Sequence, residues 1–141
     1  WGGFRVAKRA YPFDLKIKES ENFANISCSH DGYKRFRGKP IHIRNWHFFH
    51  SSIIINDHID GFFKSANAYF HFHPSINIIN KKKGILNLEM PNGKQAVLKI
   101  KMGEPYIEKS YYAYEFGKRL KRQYLKVVLN KKKGSSVEIS W

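Results

Sequence analysis

His30, Asp31, Gly32 and Tyr33 stand consecutively, Arg35, His42, Arg44 and Asp57 follow within one short span, and His71 and His73 flank Phe72 further on. Imidazole and phenol groups exchange protons near neutral pH when their surroundings tune them. Guanidinium groups fork onto carboxylate or sulfate. This set can therefore bind an anionic ligand or assist acid–base chemistry. A turn at Gly32 would bring His30, Asp31 and Tyr33 to one sheet edge, where Asp31 can orient an imidazole and Tyr33 can donate a hydrogen bond. A purely structural network uses the same residue types, so His30 and Tyr33 fit either role and Asp31 leans to structure. His71 and His73, two residues apart, can both reach one metal ion, but a zinc site needs a third ligand, for which Asp57, His58, His30 and His42 are the candidates. No metal set is assigned.

Positioning these groups requires strands. Apolar and polar residues alternate with period two, many are β-branched or aromatic, and turn residues separate the runs, which is the pattern of an all-β domain. Strands are expected at 4–10, 13–18, 24–30, 41–49, 52–57, 66–73, 75–80, 84–90, 95–101, 105–109, 124–130 and 136–141. In the run 66–73, Ala68, Phe70 and Phe72 share one face, and Tyr69, His71 and His73 share the other. In 41–49 the division is His42, Arg44 and Trp46 against Ile41, Ile43, Asn45 and His47. Rings beside basic groups are a sugar-binding composition, although Trp46 also suits a core. Asn80-Lys-Lys-Lys-Gly84, Pro91-Asn92-Gly93 and Asn130-Lys-Lys-Lys-Gly134 have the chemistry of hairpin turns, and three of them imply an antiparallel meander. The lysine tips read as solubilising loops. Only 118–123 suggests a helical turn. The fold expected is an antiparallel β-sandwich-like sheet domain with less than about one tenth helix.

The chain has 141 residues and a formal charge of +15. Such charge attracts polyanions at long range, so nucleic acid, anionic membrane and acidic glycan are all admitted. Lysine outnumbers arginine 19 to 7 amid abundant Ile and Asn, a skew that AT-rich coding would also produce. No apolar run approaches the roughly 20 residues of a membrane-spanning helix. Cys28 is alone, so no intrachain disulfide forms, and its alternation with Ile26 marks a small inward side chain. The sequence opens on Trp1 in strand-like sequence, without initiator Met or signal peptide. It is expected to be one domain, residues 1–141, excised from a longer protein.

Taken in order, S-H-D-G-Y-x-R (29–35), G-x-P-x-H-x-R (38–44), I-I-x-D-x-I-x-G (54–61) and F-H-F-H-P (70–74) resemble the C-terminal β-sheet part of heparinase II/III-like proteins, polysaccharide lyases and their relatives. The likeness runs over nearly the whole chain. It implies a two-part parent: an α/α toroid followed by a β-sheet domain, with a glycan cleft between them. It also implies β-elimination of acidic, uronate-containing polysaccharide, in which a base removes the proton alpha to the carboxylate and positive groups stabilise the enolate-like intermediate. The family's catalytic Asn or His and Tyr belong to the helical part, and its H-x-H-x-D and His-Asn-Thr motifs lie upstream of this segment. No catalytic residue is therefore assigned here, and a divalent metal such as zinc would belong to the full-length parent.

The positions that carry over are His30, Asp31, Gly32, Tyr33, Arg35, His42, Arg44, Asp57, Gly61, His71, His73 and Pro74. Of these, His30, Tyr33, Arg35, His42, Arg44, His71 and His73 are the substrate-binding candidates. They are expected on one side of the domain, facing the cleft or the helical toroid, with Arg44→Ala impairing glycan handling more than folding. Tyr114-Glu115-Phe116-Gly117 resembles the family's P-E-F-G-like turn, with Tyr114 in the proline's place. The alternative function is a non-catalytic module that binds acidic glycan. Nucleic acid ranks third, because no nucleic-acid motif accompanies the charge. The resemblance places the parent in the periplasm or outside the cell.

Overall fold

In the computed structural model, residues 9–141 are described; most of the strand expected at 4–10 lies outside them. Eleven strands follow in order: β1 (Pro12–Glu19), β2 (Phe23–His30), β3 (Ile41–Phe49), β4 (Ser52–Asp60), β5 (Asn67–His71), β6 (Asn77–Lys82), β7 (Ile85–Glu89), β8 (Gln95–Met102), β9 (Glu104–Glu115), β10 (Lys118–Val128) and β11 (Ser135–Ser140). They form an eight-stranded sheet, β1-β2-β3-β4-β11-β8-β7-β6, and a three-stranded sheet, β5-β10-β9. Every pairing is antiparallel. The expected all-β architecture holds, with no helix among the described residues.

The core lies where the small sheet covers the β11-β8-β7 part of the large one. Val137 and Leu98 from the large sheet and Leu125 and Val127 from the small one are fully buried together. Each supplies about 1.5–3 kcal/mol through removal of its apolar surface from water. The alternation expected in β5 is observed: Ala68 is buried and Phe70 half-buried beneath, while Tyr69 and His71 are exposed above.

Two expectations change. Residues 118–123 are not helical but open β10, because pairing with β9 supplies backbone hydrogen bonds along a stretch whose isolated composition allowed a turn. The Asn130–Gly134 loop does not join paired neighbours; it carries the chain from β10 in the small sheet to β11 in the large one. The remaining hairpin is instead β9–β10, turning at Phe116-Gly117, so the Tyr114-Glu115-Phe116-Gly117 motif does serve as a turn. The reverse crossing, from β8 to β9, is made by Gly103 alone. Its φ of 101° and the overlap that any Cβ would make with Val127 explain why only glycine fits.

Candidate functional site

The site begins with strand register. His30 pairs across from His42, Arg44 from Asp57, and Asp57 from Ser135, so these side chains project from one face of the large sheet. Asp57 is 2% exposed, and a buried carboxylate is tolerable only when paired. Arg44 donates to it from Nε at 2.6 Å and from Nη2 at 3.0 Å, a two-pronged ion pair.

The histidines extend this pair into a directional chain. The Gly32 backbone N–H donates to His30 Nδ1 at 3.2 Å, which leaves the ring proton of neutral His30 on Nε2. That proton meets His42 Nδ1 at 2.9 Å, and His42 Nε2–H in turn donates to Asp57 Oδ1 at 2.7 Å. One tautomer of each ring satisfies all three bonds at once. Both nitrogens of both rings are thereby committed. Burial would push the Asp57 carboxyl up, but the hydrogen bonds from His42 and Arg44 outweigh it and hold the group below the ordinary carboxylate range. Burial, and after it the adjacent His42, push His30 below the usual imidazole value.

These directions fix a pH dependence. Because folded His30 is harder to protonate than unfolded His30, its contribution is complete above about pH 6.5 and is lost as pH falls through the lower folded value. Asp57 adds a second loss further down, below its ordinary range. Protonated His30 would also set an N–H against the Gly32 N–H. The melting temperature is therefore expected to fall between pH 7 and pH 5, and His30→Gln should flatten that slope. Equal slopes in the two proteins, measured by thermal melts across that range, would contradict the chain of bonds.

Above this network, between the two sheets, opens a cavity of about 1190 Å³. His30, Tyr33, His42, Arg44 and His71 line it, as do Asp57, Arg37 and Lys64. The mouth is aromatic: Tyr33, Phe36, Phe62 and Tyr69 contribute rings, and Phe62 is 63% exposed. Arg44 reaches across, its guanidinium 5.9 Å from the Phe70 ring centroid on the small sheet. The two rim loops are locked by glycines. A Cβ on Gly38 would lie 2.5 Å from the Phe62 carbonyl oxygen, and one on Gly61 would lie 2.7 Å from that of Gly38. Both take positive φ, 91° and 97°, so the backbones close to a distance that only glycine permits.

The structure divides the seven candidates. His30, Tyr33, His42, Arg44 and His71 meet at the cavity. Arg35 lies outside it, with Nη1 donating to the Gly32 carbonyl at 2.6 Å and its guanidinium 4.7 Å over Phe36. His73 also lies outside, with Nδ1 2.6 Å from Ser75 Oγ and its ring against Tyr112. Asp31 accepts the Tyr11 backbone N–H at 2.8 Å, and the orienting carboxylate is Asp57 instead. Arg44 is committed to Asp57, which changes what Arg44→Ala should do. Among the described residues no three His, Cys, Asp or Glu side chains are placed together to hold a metal ion. Arg37 and Lys64 escaped the sequence reading, since each lies in a loop where charge is ordinarily solvated; the glycines at 38 and 61 were the available signal.

The family model described as Heparinase II/III-like, C-terminal matches residues 1–141. The chain belongs to the heparinase II/III-like family. Among solved structures, heparan sulfate lyase HepC from Pedobacter heparinus superimposes with a TM-score of 0.70 at 16% identity, over 94% of this chain and 21% of that one. The Heparinase III-BT4657 gene product follows with a TM-score of 0.68 at 17% identity, over 92% of this chain and 20% of that one. Identity at this level establishes the shared fold. This heparinase II/III-like chain spans about a fifth of the length of those lyases. A comparison with curated protein sequences gives no match. No helix among the described residues is long and apolar enough to cross a membrane.

Proposed function

We propose that this chain is the sheet part of a polysaccharide lyase that cleaves acidic, uronate-containing polysaccharide by β-elimination, and that it forms one wall of the substrate cleft. The other wall is a helical toroid in the same parent protein. The observation that carries this reading is the cavity itself. Among the described residues its only carboxylate, Asp57, is neutralised by Arg44, while Arg37, Lys64 and His71 remain to meet anions and Tyr33, Phe36 and Phe62 present ring faces to pyranoses. At about 1190 Å³ it is larger than the usual small-molecule pocket of roughly 300–1,000 Å³, a size that suits several sugar units.

Proton abstraction belongs to the parent's helical part, since His30 and His42 have no ring nitrogen free. That same commitment supports the alternative, a module that binds acidic glycan without turnover.

The 141-residue chain is expected to bind heparan sulfate or alginate with affinity that falls at least about tenfold as salt rises past the point where the screening length drops below roughly 8 Å. Arg37→Ala and Lys64→Ala should each weaken binding about three- to tenfold. Salt-independent binding, or tighter binding of duplex DNA than of any glycan, would defeat the acidic-glycan reading. Failure of the parent protein to release unsaturated uronate from any acidic polysaccharide would leave only the binding module.

A further inference from the structure

The solvent face of the small sheet carries a second concentration of rings and cations. Register places Tyr124 between His71 and Glu108, and Lys126 between Tyr69 and Tyr106, so alternate residues of all three strands share this face. The rings are close: Tyr124 lies 5.7 Å from Tyr69 and 5.2 Å from His71 between centroids. Further along the β9–β10 hairpin, His73 lies 5.2 Å from Tyr112, which stacks at 6.4 Å on Tyr114. Arg122 holds the middle, its guanidinium 5.7 Å over the Tyr112 ring. Tyr69 is 48% exposed and Tyr114 52% exposed, so this is a wet surface rather than a buried seam.

Charge selects the occupant. Glu108 is neutralised by Lys126 and by the Tyr124 hydroxyl, and Glu104 is hydrogen-bonded to Tyr106 at the far end of the face, which leaves Arg122, over Tyr112, without a carboxylate partner among the described residues. Flat rings beside the Arg122 guanidinium suit an acidic polysaccharide, whose pyranose faces stack while a carboxylate or sulfate meets that arginine. Continuity selects it as well. Tyr69 and His71 belong both to this face and to the cavity lining, and β5 is an edge strand of its sheet among the described residues.

We propose that the outer face of the small sheet is a second acidic-polysaccharide surface, a track that leaves the cavity around the edge of β5 and runs to Tyr114. This rests on the reading of the cavity as an acidic-glycan site. Between Tyr106 and Tyr114 the track extends roughly 27 Å at about 3.4 Å per strand residue, so a long chain engages both surfaces and a short oligosaccharide only the cavity.

The test compares a tetrasaccharide with polymer, prepared from whichever of heparan sulfate and alginate the wild-type chain binds. Replacing Tyr112 and Tyr114 together by alanine should weaken polymer binding about tenfold and leave the tetrasaccharide unchanged, whereas Arg37→Ala weakens both. Replacing the same pair by phenylalanine should restore polymer binding, because ring faces carry the contact. Polymer affinity unaltered by the alanine pair, equal loss for both ligands, or a folded phenylalanine pair that fails to restore binding would each overturn the track. If the wild-type chain binds neither polymer, the cavity reading itself fails and the track fails with it.

Discussion

Arg44→Ala is expected to cost about 3–5 kcal/mol of folding stability, enough to unfold much of the protein at physiological temperature. The Asp57 side chain is 1% exposed and that of Arg44 28%. Removing the guanidinium thus strands a carboxylate that the intact fold shields from water, with His42 and a 3.5 Å contact from Ser135 as its remaining donors. Breaking one side of a buried pair is far worse than replacing both sides. The double variant Arg44→Met with Asp57→Asn should therefore recover a large part of the loss, and denaturant melts of the single and double variants measure it. A single variant that melts within about 1 kcal/mol of wild type would show that Asp57 is solvated. The expected loss sets a large folding cost against the sequence expectation that Arg44→Ala would impair glycan handling more than folding.

Gly134→Ala should be comparably severe, at about 3–5 kcal/mol when backbone strain and overpacking act together. Gly134 has φ of 83°, and a Cβ there would overlap the Asp57 carbonyl oxygen and lie 3.3 Å from the His58 Cα. Those atoms belong to the β4 backbone, which pairs with β11 at Asp57↔Ser135, so they cannot retreat without opening the sheet beneath the site. Gly93 is the internal control. Its φ of 77° is similar, but nothing stands within 4 Å of its Cβ position, so Gly93→Ala should cost only about 1–2 kcal/mol. Equal melting of the two variants would remove the steric argument.

Local alternation made a good deal of this protein legible. The separation of Ala68, Phe70 and Phe72 from Tyr69, His71 and His73, and the shared face of His42 and Arg44, follow from the two-residue repeat of any strand, which needs no partner to be read. The ordered motifs from His30 to Pro74 likewise sufficed for the family, since they are a property of the chain itself. Which strands become neighbours is another matter. The two Asn-Lys-Lys-Lys-Gly loops are alike in sequence, yet one closes the β6–β7 hairpin and the other passes between sheets; nearest-neighbour chemistry sets a turn's φ but not the destination of the strand after it. Residues 118–123 became strand for the same reason, through partners in β9 distant in sequence.

The site shows this division most sharply. Sequence singled out the histidines and arginines by type, but the ordered chain from Gly32 through His30 and His42 to Asp57 exists only because three strands align in one register. Burial of Asp57, which gives Arg44 a structural partner, depends on β11 arriving from the far end of the chain. Arg37 and Lys64 entered the cavity only when Gly38 and Gly61 brought two loops together. The chain's own sequence determined its residue chemistry, its strand faces and its family. Desolvation and proximity between residues far apart in sequence, which decide whether a charged group holds the fold or meets a ligand, arose only with the tertiary structure.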